Sequence, residues 1–186
     1  MVQLDRVTFG YVLWKPILRD VSLHIECGQR VCLTGASGKG KTTALRLVMG
    51  LEKPRKGAVL LAEGTRISAV FQEDRLLPYK TVLENVALFS DEQAAKKELC
   101  KLGLGGALSV YPQELSGGMK RRAALARALC HEFDLLILDE PLTGLDAESK
   151  ALCLAAIDEA VGERTLLMVS HDMSEAEALK ATCINL

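Results

Sequence analysis

The sequence predicts an α/β fold with a mostly parallel sheet, and three features of the chain support this prediction. Short apolar, β-forming stretches alternate with stretches of helical periodicity, the order typical of parallel strands joined by helices. The run Leu135-Leu136-Ile137-Leu138 is continuously apolar, as in a strand that is covered on both faces. A glycine-rich loop separates a β-prone stretch at 30–34 from a helical stretch at 42–49.

The first third of the chain also carries strand patterns outside this alternation. They fall at residues 2–9, 17–26, 58–62 and 67–71. Val21-Ser22-Leu23-His24-Ile25 alternates apolar and polar residues, which is typical of a half-buried antiparallel strand. Glu63-Gly64 supplies a turn between the last two segments. We therefore expect strands in these segments, with residues 21–25 in an antiparallel one.

Residues 73–131 carry helical patterns and little strand signal. Thr81 and Glu84 have the spacing of a capping box, so a helix is expected to begin there. A charged, solvated helix is predicted at 91–102, and another helix at 119–130. We interpret 73–131 as a helical subdomain inserted into the α/β core.

The α/β pattern returns after the insertion and continues to the last residue. Strands are predicted at 135–138 and 165–170, a helix at 147–161, and a final strand at 183–186. The whole chain, 1–186, is therefore expected to be a single domain.

Composition narrows the classes of protein that fit. The chain has 186 residues, 49% of them hydrophobic, and a net charge of −1, which gives no reason to expect nucleic acid or an anionic membrane as a partner. No apolar run approaches the roughly 18 residues needed to cross a bilayer, and the start lacks the form of a signal peptide, so we expect a soluble chain.

Single thiols without C-x-x-C spacing are typical of buried small hydrophobes in a reducing cytoplasm. The six cysteines are Cys27, Cys32, Cys100, Cys130, Cys153 and Cys183.

The glycine-rich segment Gly35-Ala36-Ser37-Gly38-Lys39-Gly40-Lys41-Thr42 matches the phosphate-binding loop G-x-x-x-x-G-K-[ST]. Its position between a strand and a helix lets backbone N–H groups and the helix dipole face an anion. Lys41 is expected to reach the β- and γ-phosphates of a nucleotide, and the Thr42 hydroxyl to bind Mg²⁺. The alternative is a glycine-rich turn without a ligand.

Two further strands end in polar residues that would share one sheet edge with this loop. Asp139 and Glu140 end one strand, where Asp139 is suited to hold Mg²⁺ and Glu140 to accept a proton from water. His171 ends the other and would hold a γ-phosphate. The alternatives are an acidic exit from the strand before Pro141 and a histidine that is hydrogen-bonded at a strand end.

The segment Leu115-Ser116-Gly117-Gly118 opens a helix with glycines, which leave N–H groups bare for a second anion. Lys120, Arg121 and Arg122 lie in the first turn of this helix, where its dipole prefers acidic residues. This placement predicts that the helix end faces negative charge. A second anion site in one chain makes sense if it serves another copy of the chain.

Together these motifs resemble those of the ATP-binding cassette (ABC) ATPases, over essentially the whole chain. The phosphate loop resembles the family's Walker A, residues 135–140 resemble Walker B with the catalytic glutamate, and residues 115–119 resemble the family-specific signature. Phe71-Gln72-Glu73 resembles the Q-loop, Gly144-Leu145-Asp146 the D-loop, and Ser170-His171-Asp172 the switch histidine. The resemblance implies a P-loop NTPase core with a short antiparallel β subdomain and an inserted helical subdomain.

The resemblance also implies ATP and Mg²⁺ as cofactors and a head-to-tail pair of cassettes. The ATP-binding residues would be Tyr11, Gly35, Ala36, Ser37, Gly38, Lys39, Gly40, Lys41, Thr42 and Thr43, with Phe9 and Trp14 as alternatives for the adenine-stacking role of Tyr11. The metal residues would be Thr42, Gln72 and Asp139. The catalytic residues would be Glu140 and His171. Ser116, Gly117 and Gly118 would contact the γ-phosphate in trans, and Asp146 would belong to the D-loop.

The segments Phe71–Tyr79 and Leu83–Ala87 are similar to those of the nitrate/sulfonate/taurine-type importer ATPases. This implies transmembrane permease subunits as partners, a substrate-binding protein as an indirect one, and a cytoplasmic location on the inner face of the membrane. The second ATPase subunit would be identical or different. The shortened helical arm at 86–111 departs from the pattern. Alternatives are an ABC ATPase that acts on nucleic acid or ribosomes and a P-loop small-molecule kinase.

Overall fold

The protein contains two β-sheets and a set of α-helices, which the computed structural model describes for residues 1–12 and 14–186. The first half of the chain contains β1 (Val2–Phe9), β2 (Leu18–Ile25), β3 (Arg30–Thr34), α1 (Lys41–Val48), β4 (Lys56–Leu61), β5 (Ile67–Val70), α2 (Val82–Val86) and α3 (Glu92–Lys101). The second half contains α4 (Gly117–Leu129), β6 (Leu135–Asp139), α5 (Ala147–Val161), β7 (Thr165–Val169), α6 (Met173–Ala178) and β8 (Thr182–Asn185). Three short 3₁₀ helices lie at Ala87–Phe89, Gly105–Ala107 and Pro112–Glu114.

The chain divides into two units. Unit 1 comprises residues 1–67, 134–139 and 163–186, and unit 2 comprises residues 68–133 and 140–162. The segment interpreted as a helical insertion, 73–131, lies within unit 2, and its status as a subdomain of one domain stays a prediction. In the described part of the chain no helix combines the length and the apolar character that crossing a membrane requires.

Unit 1 contains an antiparallel sheet with the strand order β2-β1-β4. Val2 is the register partner of Ile25 on one side and of Leu61 on the other. A Cβ atom at Gly57 would collide with carbonyl oxygens of β1, so glycine is required where β4 begins (φ +79°). The turn at residues 63–64 is present, but it connects two sheets, because β4 pairs with β1 and does not form a hairpin with β5.

The second sheet has the strand order β5-β6-β7-β3-β8. The pairs β6–β7, β7–β3 and β3–β8 are parallel. Every residue of β6 and β7 is buried, which explains the apolar runs at 135–138 and 166–169. Because β3, β7 and β6 are neighbours, the prediction that their carboxyl ends share one sheet edge is confirmed.

The helices of unit 2 follow local signals in the sequence. The Thr81 hydroxyl accepts from the Glu84 N–H (3.2 Å) and the Glu84 carboxylate accepts from the Thr81 N–H (2.7 Å), so the predicted capping box is confirmed. Asp91 caps α3. The prediction of a solvated helix is only partly right, because α3 buries Ala95 and Leu99.

The cysteines depart from the expectation of buried thiols. Cys32 and Cys153 are buried, and burial raises the pKa of Cys153 to about 12. Cys27, Cys100 and Cys183 are exposed. Sequence spacing does not distinguish these environments, because the exposure of a thiol depends on the strand or helix that carries it.

Arg66 and Asp134 join the starts of β5 and β6. The Arg66 side chain donates from Nε and Nη2 to the Asp134 carboxylate (3.1 and 3.0 Å), and the Arg66 N–H donates to the same group (2.8 Å). These hydrogen bonds, those of the side chain foremost, lower the pKa of Asp134 from 3.8 to about 2. Because the folded-state pKa lies below the unfolded one, the pair stabilises the fold above pH 4, and this contribution is lost as the pH falls toward 2.

We expect Asp134→Asn to lower the free energy of unfolding at pH 7, and the difference from the wild type to shrink between about pH 4 and pH 2. Urea denaturation across this pH range measures it. Glu63→Gln, which removes an exposed carboxylate from the nearby turn, serves as the control. A difference between Asp134→Asn and the wild type that stays constant with pH would show that the Arg66 pair does not act through the charge of Asp134.

Candidate nucleotide-binding site

The phosphate loop of unit 1 runs from the end of β3 to the start of α1. Gly40 has φ +96° at the N-cap of α1, and a Cβ atom there would lie 2.6 Å from a methyl group of Leu18. Lys41 is 6% exposed, and its ammonium group donates to the carbonyl oxygens of Gly35 (2.8 Å) and Ala36 (3.2 Å). The charge of Lys41 is therefore held inside the loop, beside the N-terminus of α1, where a phosphate group would meet it.

Thr42 joins this loop to β6. Its hydroxyl donates to the Asp139 carboxylate (3.1 Å), and Asp139 is 4% exposed. A hydroxyl and a carboxylate are hard oxygen ligands of the kind that Mg²⁺ prefers. The two side chains therefore fit the expected metal, and the structure brings them together. Their role as metal ligands stays a prediction.

Glu140 directly follows Asp139 and has an unusual backbone conformation. Its φ is +51°, in the left-handed region that few non-glycine residues adopt. Such conformations persist where the surroundings impose them, and they are frequent at functional sites. The Glu140 carboxylate accepts a long hydrogen bond from the Thr143 hydroxyl (3.5 Å). Glu140 belongs to unit 2.

The turn that carries His171 is held by a buried polar pair. The Ser170 hydroxyl donates to the Glu175 carboxylate (2.7 Å), and the Asp172 N–H donates to the Ser170 oxygen (2.9 Å). Glu175 is 4% exposed, whereas His171 is exposed at the carboxyl end of β7. The sequence interpretation missed Glu175, for which the only signal is an acidic residue in the first turn of α6.

The three aromatic residues near the N-terminus differ in exposure, and so in whether they can stack on a ligand. The Tyr11 hydroxyl accepts from Arg46 of α1 (3.3 Å), and the Tyr11 ring, 52% exposed, packs edge-on against Phe9 at 5.1 Å. Phe9 is buried, so it is excluded from stacking on a ligand. Trp14 is exposed. An adenine-binding role stays a prediction for Tyr11, with Trp14 as the alternative.

In unit 2 the signature-like segment forms the N-terminus of α4. The Ser116 hydroxyl caps the helix by accepting from the Met119 N–H (3.2 Å). Ser116 and Gly117 are exposed, and a Cβ atom at Gly117 would meet nothing within 4 Å. A Cβ atom at Gly118 would lie 3.3 Å from Leu145, so that glycine has a packing reason inside the chain. Among the residues that the structure describes, packing gives no reason for glycine at position 117.

Arg121 and Arg122 of α4 are engaged within unit 2, which corrects the expectation that these two residues face an external anion. Arg121 donates to the carbonyl oxygens of Phe71 (3.2 Å) and Gln72 (2.8 Å), and it lies 3.3 Å from the Asp74 carboxylate. Arg122 donates to the Leu102 carbonyl oxygen (2.8 Å). The two guanidinium groups therefore bind backbone carbonyl oxygens, and these hydrogen bonds join α4 to the neighbouring segments of unit 2. The Gln72 side chain is exposed on the segment that Arg121 holds.

Asp146 is expected in the D-loop, and it caps α5. Its carboxylate accepts from the Ser149 N–H (2.8 Å) and the Ser149 hydroxyl (3.0 Å). These hydrogen bonds, that of the backbone first, lower the pKa of Asp146. The carboxylate therefore stays ionised, as the positive end of a helix dipole prefers.

Asn85 anchors the loop that precedes α2. Its side-chain oxygen accepts from the Leu77 N–H (2.7 Å), and its amide group donates to the carbonyl oxygens of Leu77, Lys80 and Thr81 (3.1, 2.9 and 2.9 Å). The side chain is fully buried. Because one residue holds both ends of the loop, Tyr79 is presented to solvent with 72% of its surface exposed.

Comparison of the sequence with known proteins identifies the family to which the chain belongs. The sequence profile described as "ABC transporter" matches residues 18–143. The chain is 42% identical over 188 residues to the aliphatic sulfonates import ATP-binding protein SsuB 1 of Rhodococcus jostii (strain RHA1), covering 96% of this chain and 77% of that protein. It is 44% identical over 176 residues to SsuB of Escherichia coli (strain K12), covering 88% and 68% of the two chains. The chain therefore belongs to the ABC transporter family.

Other relatives extend beyond the matched region. SsuB 3 of Pseudomonas syringae pv. syringae (strain B728a) is 44% identical over 178 residues, and the match spans 89% of this chain but 65% of that protein. The chain thus spans about two-thirds to three-quarters of the length of these relatives.

Solved structures agree with the fold. The ATP-binding cassette MJ0796, in a dimeric post-hydrolysis state with ADP and Pi, superposes with a TM-score of 0.91 at 29% identity, over 100% of this chain and 94% of that one. A bacterial Atm1-family ABC exporter with ATP bound gives a TM-score of 0.84 at 26% identity, over 94% of this chain and 35% of that one. The prediction of an ABC-type α/β fold is confirmed.

We expect Asn85→Ala to lower the free energy of unfolding by about 1–3 kcal/mol, because buried partners of the amide lose their hydrogen bonds. The Leu77 amide would also lose protection in hydrogen exchange. Gln93→Ala, an exposed change on α3, is the matched control. Unchanged protection of Leu77 in the Asn85 variant would show that other contacts hold this loop.

Proposed function

We propose that this chain is the ATP-binding and ATP-hydrolysing subunit of an ABC importer. The observation that carries the proposal is the Thr42–Asp139 hydrogen bond beside the enclosed Lys41 ammonium group, which joins a phosphate loop to a buried carboxylate. The names of the curated relatives support the importer assignment. Hydrolysis and its coupling to transport are part of this proposal.

The phosphate loop binds the triphosphate. N–H groups at residues 35–43 and the ammonium group of Lys41 face the phosphate oxygens, and the Tyr11 ring stacks on the adenine. Thr42 and Asp139 would hold Mg²⁺, which would neutralise phosphate charge. Gln72 is the further metal residue proposed from the sequence. Arg121 contributes by holding the backbone of Gln72.

Glu140 accepts the proton of the attacking water. A carboxylate within hydrogen-bonding reach of water contributes to catalysis as a general base. Its left-handed backbone conformation (φ +51°) is of the kind that persists where the surroundings impose it, as at functional sites. His171 holds the γ-phosphate, and the Ser170–Glu175 hydrogen bond positions the turn from which it projects.

A second cassette completes the site. Ser116, Gly117 and Gly118 of one copy contact the γ-phosphate held by another copy, and Asp146 supports that junction. Gly117 supports this proposal, because its missing side chain leaves space that this chain does not fill. The dimeric MJ0796 cassette, bound to ADP and Pi, is a neighbour consistent with such a pair.

The partners proposed on the membrane side are permease subunits, and a substrate-binding protein acts through them. The loop that Asn85 anchors presents the exposed Tyr79 ring for docking on a permease helix. The chain would then work on the cytoplasmic face of the membrane. The relatives are named for aliphatic sulfonates, which makes this class the proposed cargo.

We expect Glu140→Gln to bind ATP, to lower turnover by about 10²- to 10⁴-fold, the usual contribution of a general base, and to accumulate as an ATP-bound dimer. Phosphate release and size-exclusion chromatography measure the two effects. Glu148→Gln, on the exposed first turn of α5, should leave both unchanged. Turnover at the wild-type rate in Glu140→Gln would remove this residue from the base role.

A further inference from the structure

Cys32 and Cys183 are neighbours on adjacent strands. They are register partners in the parallel pair β3–β8 although 150 positions separate them in sequence. Register partners project from the same face of a sheet, and strands lie about 4.8 Å apart, within the Cα separation of about 4.4–6.8 Å that a disulfide spans. The structure therefore places two free thiols where a bond between them requires little backbone movement.

The two thiols differ in access. Cys183 is exposed on the edge strand β8, whereas Cys32 is 1% exposed. Burial raises the pKa of Cys32 to about 11, so its reactive thiolate form is scarce at neutral pH. An oxidant in solution therefore meets Cys183 first, and Cys32 is placed to react with the product.

The end of β8 also packs against the start of the phosphate loop. The Leu186 N–H donates to the Thr34 carbonyl oxygen (3.1 Å), and the Thr34 hydroxyl donates to the Ile184 carbonyl oxygen (3.3 Å). A Cβ atom at Gly35 would lie 3.0 Å from both the Asn185 side-chain oxygen and the Leu186 carbonyl oxygen. Residues 185 and 186 therefore limit the space beside Gly35, and a shift of β8 toward β3 would move them toward the phosphate loop.

We propose that Cys32 and Cys183 form a reversible disulfide when the protein meets a peroxide, and that this bond weakens ATP binding by the phosphate loop. The Cys183 sulfur attacks one oxygen of hydrogen peroxide, the O–O bond breaks, and water leaves, so that Cys183 carries a sulfenic acid. The Cys32 sulfur then attacks the Cys183 sulfur, the S–O bond breaks, and a second water leaves with the Cys32 proton. Two thiols and one peroxide give one disulfide and two waters, and the two sulfurs supply the two electrons.

The link between the disulfide and ATP rests on the proposed function, whereas formation of the disulfide does not. The test therefore has two readouts. The full chain is treated with hydrogen peroxide, and peptide mapping under non-reducing conditions locates the bond. Binding of a fluorescent ATP derivative with Mg²⁺ is then compared between reduced protein, oxidised protein and oxidised protein that has been reduced again with dithiothreitol.

We expect a Cys32–Cys183 peptide within one chain and about tenfold weaker nucleotide binding, the usual size of a coupling between sites. Dithiothreitol should restore the affinity. Cys183→Ser should form no such bond and keep its affinity in peroxide, whereas the control Cys100→Ser should behave like the wild type. Because Cys183 is exposed, its replacement is compatible with folding.

Three results would overturn the proposal. The first is the absence of the bond from the peptide map, and the second is a bond that joins Cys183 of two chains. The third is an oxidised protein that contains the bond and binds the nucleotide as tightly as the reduced protein. If the reduced protein did not bind the nucleotide at all, the proposed ATPase function would fail, whatever the peptide map showed.

Discussion

The hydrogen bond between Thr42 and Asp139 is the contact on which the candidate site depends. It links the first turn of α1 to the carboxyl end of β6, and in the sheet order β7 lies between β6 and the strand that leads into the loop. The bond therefore requires that β3, β7 and β6 be parallel and in register. The buried apolar residues of these strands fix that register, because slipping by one residue would exchange the side chains on the two covered faces and disrupt the close packing on both. Core packing is thus what sets the distance between the loop and the carboxylate.

Several segments with proposed functions are loops, and buried or half-buried polar side chains hold them. Arg121 binds the carbonyl oxygens around Gln72, Asn85 binds both ends of the loop that exposes Tyr79, and Glu175 binds the turn at His171. Each side chain forms hydrogen bonds with main-chain or hydroxyl groups. These bonds replace the hydrogen bonds to water that the groups lose on folding. This arrangement keeps functional groups exposed while their backbone stays ordered. It explains how a small chain presents several loops with defined conformations.

The fold and the motif positions could be predicted from the sequence because their causes are local. The period of apolar residues, the phosphate-loop pattern and the spacing of Thr81 and Glu84 each act within a few residues. The roles of the side chains that hold the loops could not be predicted from local sequence patterns. These roles depend on which segments the fold brings together. Arg121 is an example, because its charge suggested an external anion, whereas the structure shows backbone carbonyls around it. The Cys32–Cys183 pair is another, because only the strand order brings the two thiols together.

The central claim is that the phosphate loop of one copy works with the signature segment of another. The most direct test mixes Lys41→Ala, which loses the loop ammonium group, with Gly117→Asp, which places a negative charge in the open space at Gly117. Neither variant should hydrolyse ATP alone. The equimolar mixture should regain turnover, because a mixed pair holds one site with an intact loop and an intact signature segment. A mixture no more active than its two components would contradict the claim.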